Sequence, residues 1–173
     1  MWNLHFNNVD STNSVGKYLL ANGLEGPIAI TADRQTAGRG SHDRTWYSDD
    51  RGGFYYSLAV TPLDPNSVSD LTVKVAQSCQ KVIAQLWDIA VEIEWPNDLI
   101  LNGKKVGGIL VEMVTGGKSC RGHGIIGIGL NINQLQFPEL LRPVAISLIQ
   151  TDGVERSLTH LKSMMTKELL EWL

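Results

Sequence analysis

The chain has little cysteine. Cys79 and Cys120 are the only two among 173 residues, and they show neither a CxxC pair nor metal-ligand spacing. A reducing compartment is expected. The four histidines, His5, His42, His123 and His160, are scattered without an HExxH pattern, so no zinc site is expected. There is no excess of positive charge: 15 Lys and Arg face 18 Asp and Glu, for a net charge of -3. That argues against nonspecific DNA binding as the main task, while leaving room for a local basic pocket. No apolar run approaches the length of a membrane span, and Met1-Trp2-Asn3-Leu4-His5 has no basic region leading into an apolar core. A soluble cytoplasmic protein with no membrane partner is expected. Internal repeats and low-complexity segments are absent. The stretch from Gln35 to Trp46 is neither a P-loop, since it lacks GxxxxGK[ST], nor the dinucleotide GxGxxG fingerprint.

What is present is an ordinary globular mix, 43% hydrophobic and 19% charged, long enough to bury a core as one domain over residues 1–173. Trp2 to Asn7 reads as a strand. Asp10 to Asn13 offers helix caps, and Val15, Tyr18, Leu19 and Ala21 supply a short apolar face that stops at Gly23. Pro27 to Ala32 and Phe54 to Thr61 read as strands, and Pro62 to Ser67 as a loop. Leu71, Val75, Cys79, Val82, Ile83 and Leu86 recur at helical spacing between Asp70 and Trp87. Strands follow at Val91–Trp95, Leu99–Leu101, Lys105–Val114 and Gly124–Ile132. Asn102-Gly103 is a two-residue hairpin turn and Gly116-Gly117 another. Leu158 to Leu173 reads as a helix. The order predicts an α+β fold with a mixed, mostly antiparallel sheet and flanking helices, not a doubly wound nucleotide fold.

The densest chemistry lies in Gln35-Thr36-Ala37-Gly38-Arg39-Gly40-Ser41-His42-Asp43-Arg44-Thr45-Trp46. Two guanidinium forks on glycine-rich backbone suit a loop that closes on a phosphate or carboxylate, or else a solvated surface loop. Lys105 precedes Gly107-Gly108. It either neutralises a bound anion or is an edge-strand lysine, and its neighbour Lys104 should face the opposite side. Asn97 and Asp98 after Pro96 make a turn, or Asp98 holds Mg²⁺ beside a triphosphate. The glycines of Gly127-Ile128-Gly129-Leu130-Asn131 mark close packing, with Asn131 satisfying backbone or ligand. Ser11, Thr12 and Asn13 have a capping role available. Trp46 and Trp95 read as core or pocket-wall residues, His42 as a solvated loop residue and Cys79 as packing.

Four blocks then occur in one order: Asp10-Ser11-Thr12-Asn13; Gln35 to Gly40 with Arg44 and Trp46; Trp95-Pro96-Asn97-Asp98 with Lys105-Val106-Gly107-Gly108-Ile109-Leu110; and Gly127 to Asn131. Together they resemble the catalytic domain of biotin protein ligases, also called biotin–acetyl-CoA-carboxylase ligases or holocarboxylase synthetases. The resemblance implies a fold like that of class II aminoacyl-tRNA synthetases and lipoate ligases. It implies an ATP-dependent enzyme that activates biotin as biotinyl-5′-AMP and passes it to a lysine of a biotin carboxyl carrier protein. Lys105 and Arg39 would be catalytic. Biotin would be held by Ser11, Thr12, Asn13, Gln35, Gly38, Arg39, Gly40, Ser41, Lys105 and Gly108. The nucleotide would meet Arg44, Trp46, Asn97 and Asn131, with Asp98 a candidate Mg²⁺ ligand. ATP, Mg²⁺ and biotin are implied, and no redox cofactor.

The chain departs from the family pattern GRGRxGRxW at Ser41 and Asp43, and carries Glu94 where many members have lysine. Ser41 removes a positive group and predicts faster loss of the adenylate. Glu94 predicts weaker ATP binding. Neither an N-terminal DNA-binding domain nor a C-terminal β-barrel domain is expected within the chain, so no DNA partner is expected. An exposed sheet edge of the kind that supports a homodimer is. The competing readings are a lipoate or octanoate transferase of the same superfamily and a non-catalytic biotin- or adenylate-binding protein.

Overall fold

A computed structural model describes residues 1–41, 44–63, 67–114 and 122–173. His42, Asp43, the Gly116-Gly117 turn and Cys120, each singled out in the sequence, lie outside the described residues. The elements run β1 (Trp2–Phe6), α1 (Thr12–Ala21), β2 (Ile28–Ala32), β3 (Gly53–Leu63), α2 (Val68–Trp87), β4 (Glu92–Glu94), β5 (Asp98–Leu101), β6 (Lys104–Val114), β7 (Gly122–Asn131), α3 (Ile149–Asp152) and α4 (Leu158–Leu170). The strands form one seven-stranded sheet in the order β1-β2-β3-β7-β6-β5-β4. β1 and β2 are parallel and every other pair is antiparallel. The α+β expectation of a mixed, mostly antiparallel sheet with flanking helices therefore holds. None of the described helices is long and apolar enough to cross a membrane.

Alternation along the strands divides the molecule into two layers. Tyr56, Leu58, Ile126, Ile128 and Leu130 project to one face, where Val75, Cys79 and Ile83 of α2 and Leu161, Met165 and Leu169 of α4 bury them. Cys79 is a packing residue, and its complete burial pushes the thiol pKa up. Ile28, Ile30, Ala59 and Ile125 project to the other face and pack with Leu20 of α1. The same face carries Ser57, Gly127 and Gly129 past the start of α1, where none of the described helices covers the sheet.

Four local expectations need correction. The apolar face assigned to α1 is rotated: Thr12, Asn13, Gly16 and Leu20 are its buried residues, while Tyr18 and Ala21 are exposed. Gly16 sets this, because a Cβ there would come within 2.9 Å of Ile125 Cδ1. Ser11 is the N-cap residue but makes no side-chain capping bond, and Thr12 and Asn13 lie inside the helix with side chains turned elsewhere. β3 runs on to Leu63, through residues read as a loop. Trp95 is 58% exposed instead of forming a wall. The Asn102-Gly103 turn behaves as its sequence demands, with φ of 52° and 71°.

Candidate active site

The uncovered part of the sheet is built from aligned positions on neighbouring strands. Tyr55, Gly129, Gly108 and Asp98 stand side by side across β3, β7, β6 and β5. The next row holds Ser57, Gly127 and Leu110. The glycines turn these rows into a trough. An added Cβ at Gly129 would meet Trp46 Cε2 at 2.6 Å, and one at Gly108 would meet Trp46 Cζ3 at 3.2 Å. One at Gly127 would run into the amide of Asn13. The glycine alternation of β7 thus admits two protein side chains, Trp46 and Asn13.

Lys105 reaches the trough through an irregularity. Ile100 pairs with Lys105 and Leu99 with Gly107, so Val106 is an extra residue in β6. Strict alternation would set Lys105 on the opposite face from Gly108. The bulge brings them to one side, with Lys105 Cε 3.4 Å from a Cβ added at Gly108. The backbone of Lys105 is held apart from β7 by residues 144–146: its N–H donates to Val144 O at 2.8 Å and its carbonyl accepts from Ile146 N at 3.0 Å. Asn131 Nδ2 donates to the same carbonyl at 3.3 Å. Lys105 Nζ pairs with Asp98 Oδ2 at 2.7 Å and lies 5.6 Å from the Trp46 ring centre. Lys104 points away and donates to Arg142 O.

Two cavities flank Trp46. The inner one is small, about 40 Å³, and its walls include Ser11, Thr12, Asn13 and Gln35 on one segment pair and Asn97, Asp98, Lys105 and Gly108 on another. Arg39, Gly40 and Ser41 close it from the loop. The outer cavity is about 600 Å³ and is lined by Arg44, Glu94, Asn131, Phe137 and Val144. Gly40, Ser41, Trp46, Asp98 and Lys105 are walls of both. A volume of 600 Å³ falls in the ordinary range for a small-molecule site, roughly 300–1,000 Å³. The inner cavity must widen before it takes a bicyclic ligand.

The buried wall of the inner cavity is one polar network. Gln35 Oε1 accepts from Thr12 N at 2.8 Å and Thr12 Oγ1 at 3.1 Å, and Gln35 Nε2 reaches Ser48 Oγ at 3.2 Å. Ser57 Oγ lies 2.7 Å from Thr12 Oγ1 and 2.6 Å from Asn13 Oδ1. Asn13 Nδ2 donates to Glu112 Oε2 at 2.8 Å. Glu112 also accepts from Arg39 Nη2 at 3.0 Å and Lys17 Nζ at 2.6 Å. The two cations that line the inner cavity each have a carboxylate partner, Arg39 on Glu112 and Lys105 on Asp98, whereas Arg44 of the outer cavity bonds to Ser41. Trp46 Nε1 is buried and has no hydrogen-bond partner among the described residues. Such an orphan donor costs about 1–3 kcal/mol, which a ligand acceptor or a ring shift would relieve.

Ser11, Thr12, Asn13, Gln35, Arg39, Gly40, Ser41, Lys105 and Gly108 come together as walls of the inner cavity. Gly38 does not. It packs against Ser48 and the carbonyl of Trp46, with no room for a Cβ. Arg44 and Asn131 line the outer cavity, but Asn97 lines the inner one and donates to Asp98 Oδ1 at 3.0 Å. Both oxygens of Asp98 thus have a donor, Lys105 Nζ on Oδ2 and Asn97 Nδ2 on Oδ1. Among the described residues no group of three or more His, Cys, Asp or Glu could hold a metal ion. Ser57 and Glu112 were missed in the sequence, because neither lies in a motif and only strand pairing brings them to the site.

Residues 6–131 match the model of the biotin/lipoate A/B protein ligase family. The bifunctional ligase/repressor BirA of Bacillus subtilis is 38% identical over 148 residues, covering 84% of this chain and 45% of that protein. A biotin--[acetyl-CoA-carboxylase] ligase of Mycobacterium tuberculosis is 30% identical over 172 residues, 93% of this chain and 61% of that one. The chain spans about half the length of the curated relatives it matches. Among solved structures, a biotin protein ligase from Aquifex aeolicus in complex with biotin and ATP superposes with a TM-score of 0.85 at 30% identity, covering 99% of this chain and 70% of that chain. A biotin protein ligase from Leishmania major in complex with biotinyl-5-AMP gives 0.79 at 26%, covering 99% and 74%. By the trough, the paired cations and these matches, the chain belongs to the biotin/lipoate A/B protein ligase family.

Proposed function

We propose that the chain carries out ATP-dependent activation of biotin to biotinyl-5′-AMP and its transfer to a lysine of a biotin carboxyl carrier protein. The observation that carries this reading is the convergence of Arg39 and Lys105, from two distant segments, on one cavity whose wall is the Thr12–Asn13–Gln35 network. A ureido ring has two N–H donors and a carbonyl acceptor, and that wall has partners for both. The first step brings a carboxylate to the α-phosphate of ATP, two anions that repel. Arg39 and Lys105 offset that repulsion where charge develops. The outer cavity, with Arg44, Trp46 and Asn131, takes the nucleotide. Mg²⁺ would enter with ATP and screen the triphosphate charge.

The second step needs no enzyme nucleophile, since the lysine amine of the acceptor attacks the mixed anhydride and AMP leaves. That anhydride hydrolyses readily, which gives the loop bearing Arg39 a purpose in excluding water. The relatives named as biotin ligases and the neighbours solved with biotin, ATP or biotinyl-5-AMP support the same reading. ATP and carboxylase carrier proteins share the cytoplasm, the proposed location.

Biotin-dependent exchange of pyrophosphate into ATP tests the proposal. Exchange should occur with biotin, and Lys105→Ala should lower it by about 100-fold or more with the melting temperature little changed. Exchange driven by octanoate and not biotin would replace the reading with lipoate or octanoate transfer. Biotin binding without exchange would reduce it to a binding protein.

A further inference from the structure

Glu112 touches neither the inner nor the outer cavity. It lines a third cleft on the outer side of the loop, together with Gly38, Arg39 and Thr45. Its side chain is 20% exposed, yet it bonds to three side chains on two separate segments: Lys17 and Asn13 of α1, and Arg39 of the loop. Oε1 takes Lys17, and Oε2 takes both Asn13 Nδ2 and Arg39 Nη2. A carboxylate of this kind has no proton to give, so the Asn13 amide must present its NH₂ to Glu112 and its oxygen to Ser57. Ser57 has one proton and two neighbouring acceptors, Asn13 Oδ1 and Thr12 Oγ1. The orientation imposed at Glu112 therefore passes along the wall to Gln35.

We propose that Glu112 is the positioning residue of this site: its carboxylate latches the glycine–arginine loop to β6 through Arg39 and sets the Asn13 amide, so that the ring end and the acid end of the ligand are registered to one group. The ligand's placement rests on the biotin reading, whereas the contacts of Glu112 stand without it. The latch leaves Arg39 useful. Glu112 engages one of the guanidinium's five N–H donors, so the remaining fork faces an oxyanion. Lys17 offsets the carboxylate, and the Lys17–Glu112–Arg39 group keeps a net positive charge that attracts an acid. Burial works against ionisation of Glu112, but the bonds from Lys17 and Asn13 and the charges of Arg39 and Lys17 outweigh it and hold its pKa below the usual value.

The test needs no activity. Gly40 N–H donates to Arg44 O at 2.6 Å and Trp46 N–H to Gly38 O at 2.9 Å, so their amide exchange reports the closed loop. In the ligand-free protein, Glu112→Gln should speed exchange at both amides by about tenfold, while α2 amides stay unchanged. The same substitution should weaken biotin binding, measured by calorimetry without ATP, by about tenfold. In an Arg39→Ala background it should change the two loop amides by less than about twofold, since the latch is already gone. Lys17→Ala, which removes a contact to the other oxygen, should leave them near wild type. If Glu112→Gln does not fold, Arg39→Lys, which keeps the charge and loses the fork, should open the same amides.

Unchanged loop exchange in Glu112→Gln, or an equal effect in the Arg39→Ala background, overturns the latch. Wild-type protein that keeps loop protection yet binds no biotin overturns the biotin reading and leaves the latch standing.

Discussion

Gly129→Ala probes the trough most directly. An added Cβ would lie 2.6 Å from Trp46 Cε2 and 2.7 Å from Nε1. Carbon atoms rest at about 3.5–4.0 Å, so the indole must withdraw by about 1 Å. Gly129 is on a central strand, paired to both β3 and β6, and cannot yield. The inner cavity, about 40 Å³, has no room for the ring, whereas the outer one, about 600 Å³, does. The ring therefore moves outward, into the space assigned to the nucleotide. Overpacking of this kind costs about 1–3 kcal/mol. Release of the orphan Nε1–H to water returns part of that, which puts the net loss near 1 kcal/mol, a fall in melting temperature of about 2–4 °C.

Nucleotide binding should suffer more, because a misplacement of about 1 Å at a reacting site can cost about 100-fold. Calorimetric titration with ATP, paired with tryptophan fluorescence and thermal unfolding, separates the two effects. Gly124→Ala is the control. It lies on the same strand, its Cβ would strike the Leu63 side chain, and it should lower stability without weakening ATP binding. If Gly129→Ala loses stability but keeps wild-type ATP affinity, Trp46 is not the wall described here.

Ser41→Arg restores the charge that the loop pattern of the family usually has. It should slow biotinyl-AMP release by about tenfold in a single-turnover trapping assay, at the expense of the Ser41 Oγ contact that Arg44 Nη2 makes at 2.8 Å. Glu94 is a wall of the outer cavity, so Glu94→Lys should tighten ATP binding several-fold at low salt, and the gain should shrink as ionic strength rises. The Glu112 latch should also respond to pH. Its folded pKa is depressed, so its contribution is complete above the unfolded value of about 4.3 and is lost as pH falls through the lower folded value. Protection factors at Gly40 should hold down to the ordinary glutamate range and collapse below it. Glu112→Gln should flatten that profile, and a wild-type profile that is flat as well would refute the assignment.

Much of this site was legible before any coordinates. The apolar stripe of α2, the Asn102-Gly103 turn and the alternation of β7 are local patterns, and local patterns report local structure. The hydroxyl and amide run at residues 11–13 had a capping role available from local pattern, the common local use of those residues, and only the family resemblance pointed it at a ligand. Their partners, Gln35, Ser57 and Glu112, come from three other segments; Gln35 opens the glycine–arginine motif, but no local pattern points to Ser57 or Glu112. The rotation of α1 had the same origin: Gly16 against Ile125 sets that face, a contact with no signature in the helix's own periodicity.

From its amino-acid order alone, the chain specified an α+β sheet, its turns, and the four blocks that carry the ligase resemblance. Periodicity and turn chemistry act over a few residues, which is why these could be read directly. Whether those blocks meet was a matter for strand pairing. The extra residue at Val106 turns Lys105 to the side of Gly108, and alternation alone would have sent it to the helix-packed face. The glycines of β6 and β7 became a seat for Trp46 once Gly108 and Gly129 stood opposite each other. Glu112 acquired its partners only when α1, the loop and β6 closed around it. A carboxylate or an amide has meaning through the atoms it touches, and those atoms are fixed by packing across the sheet.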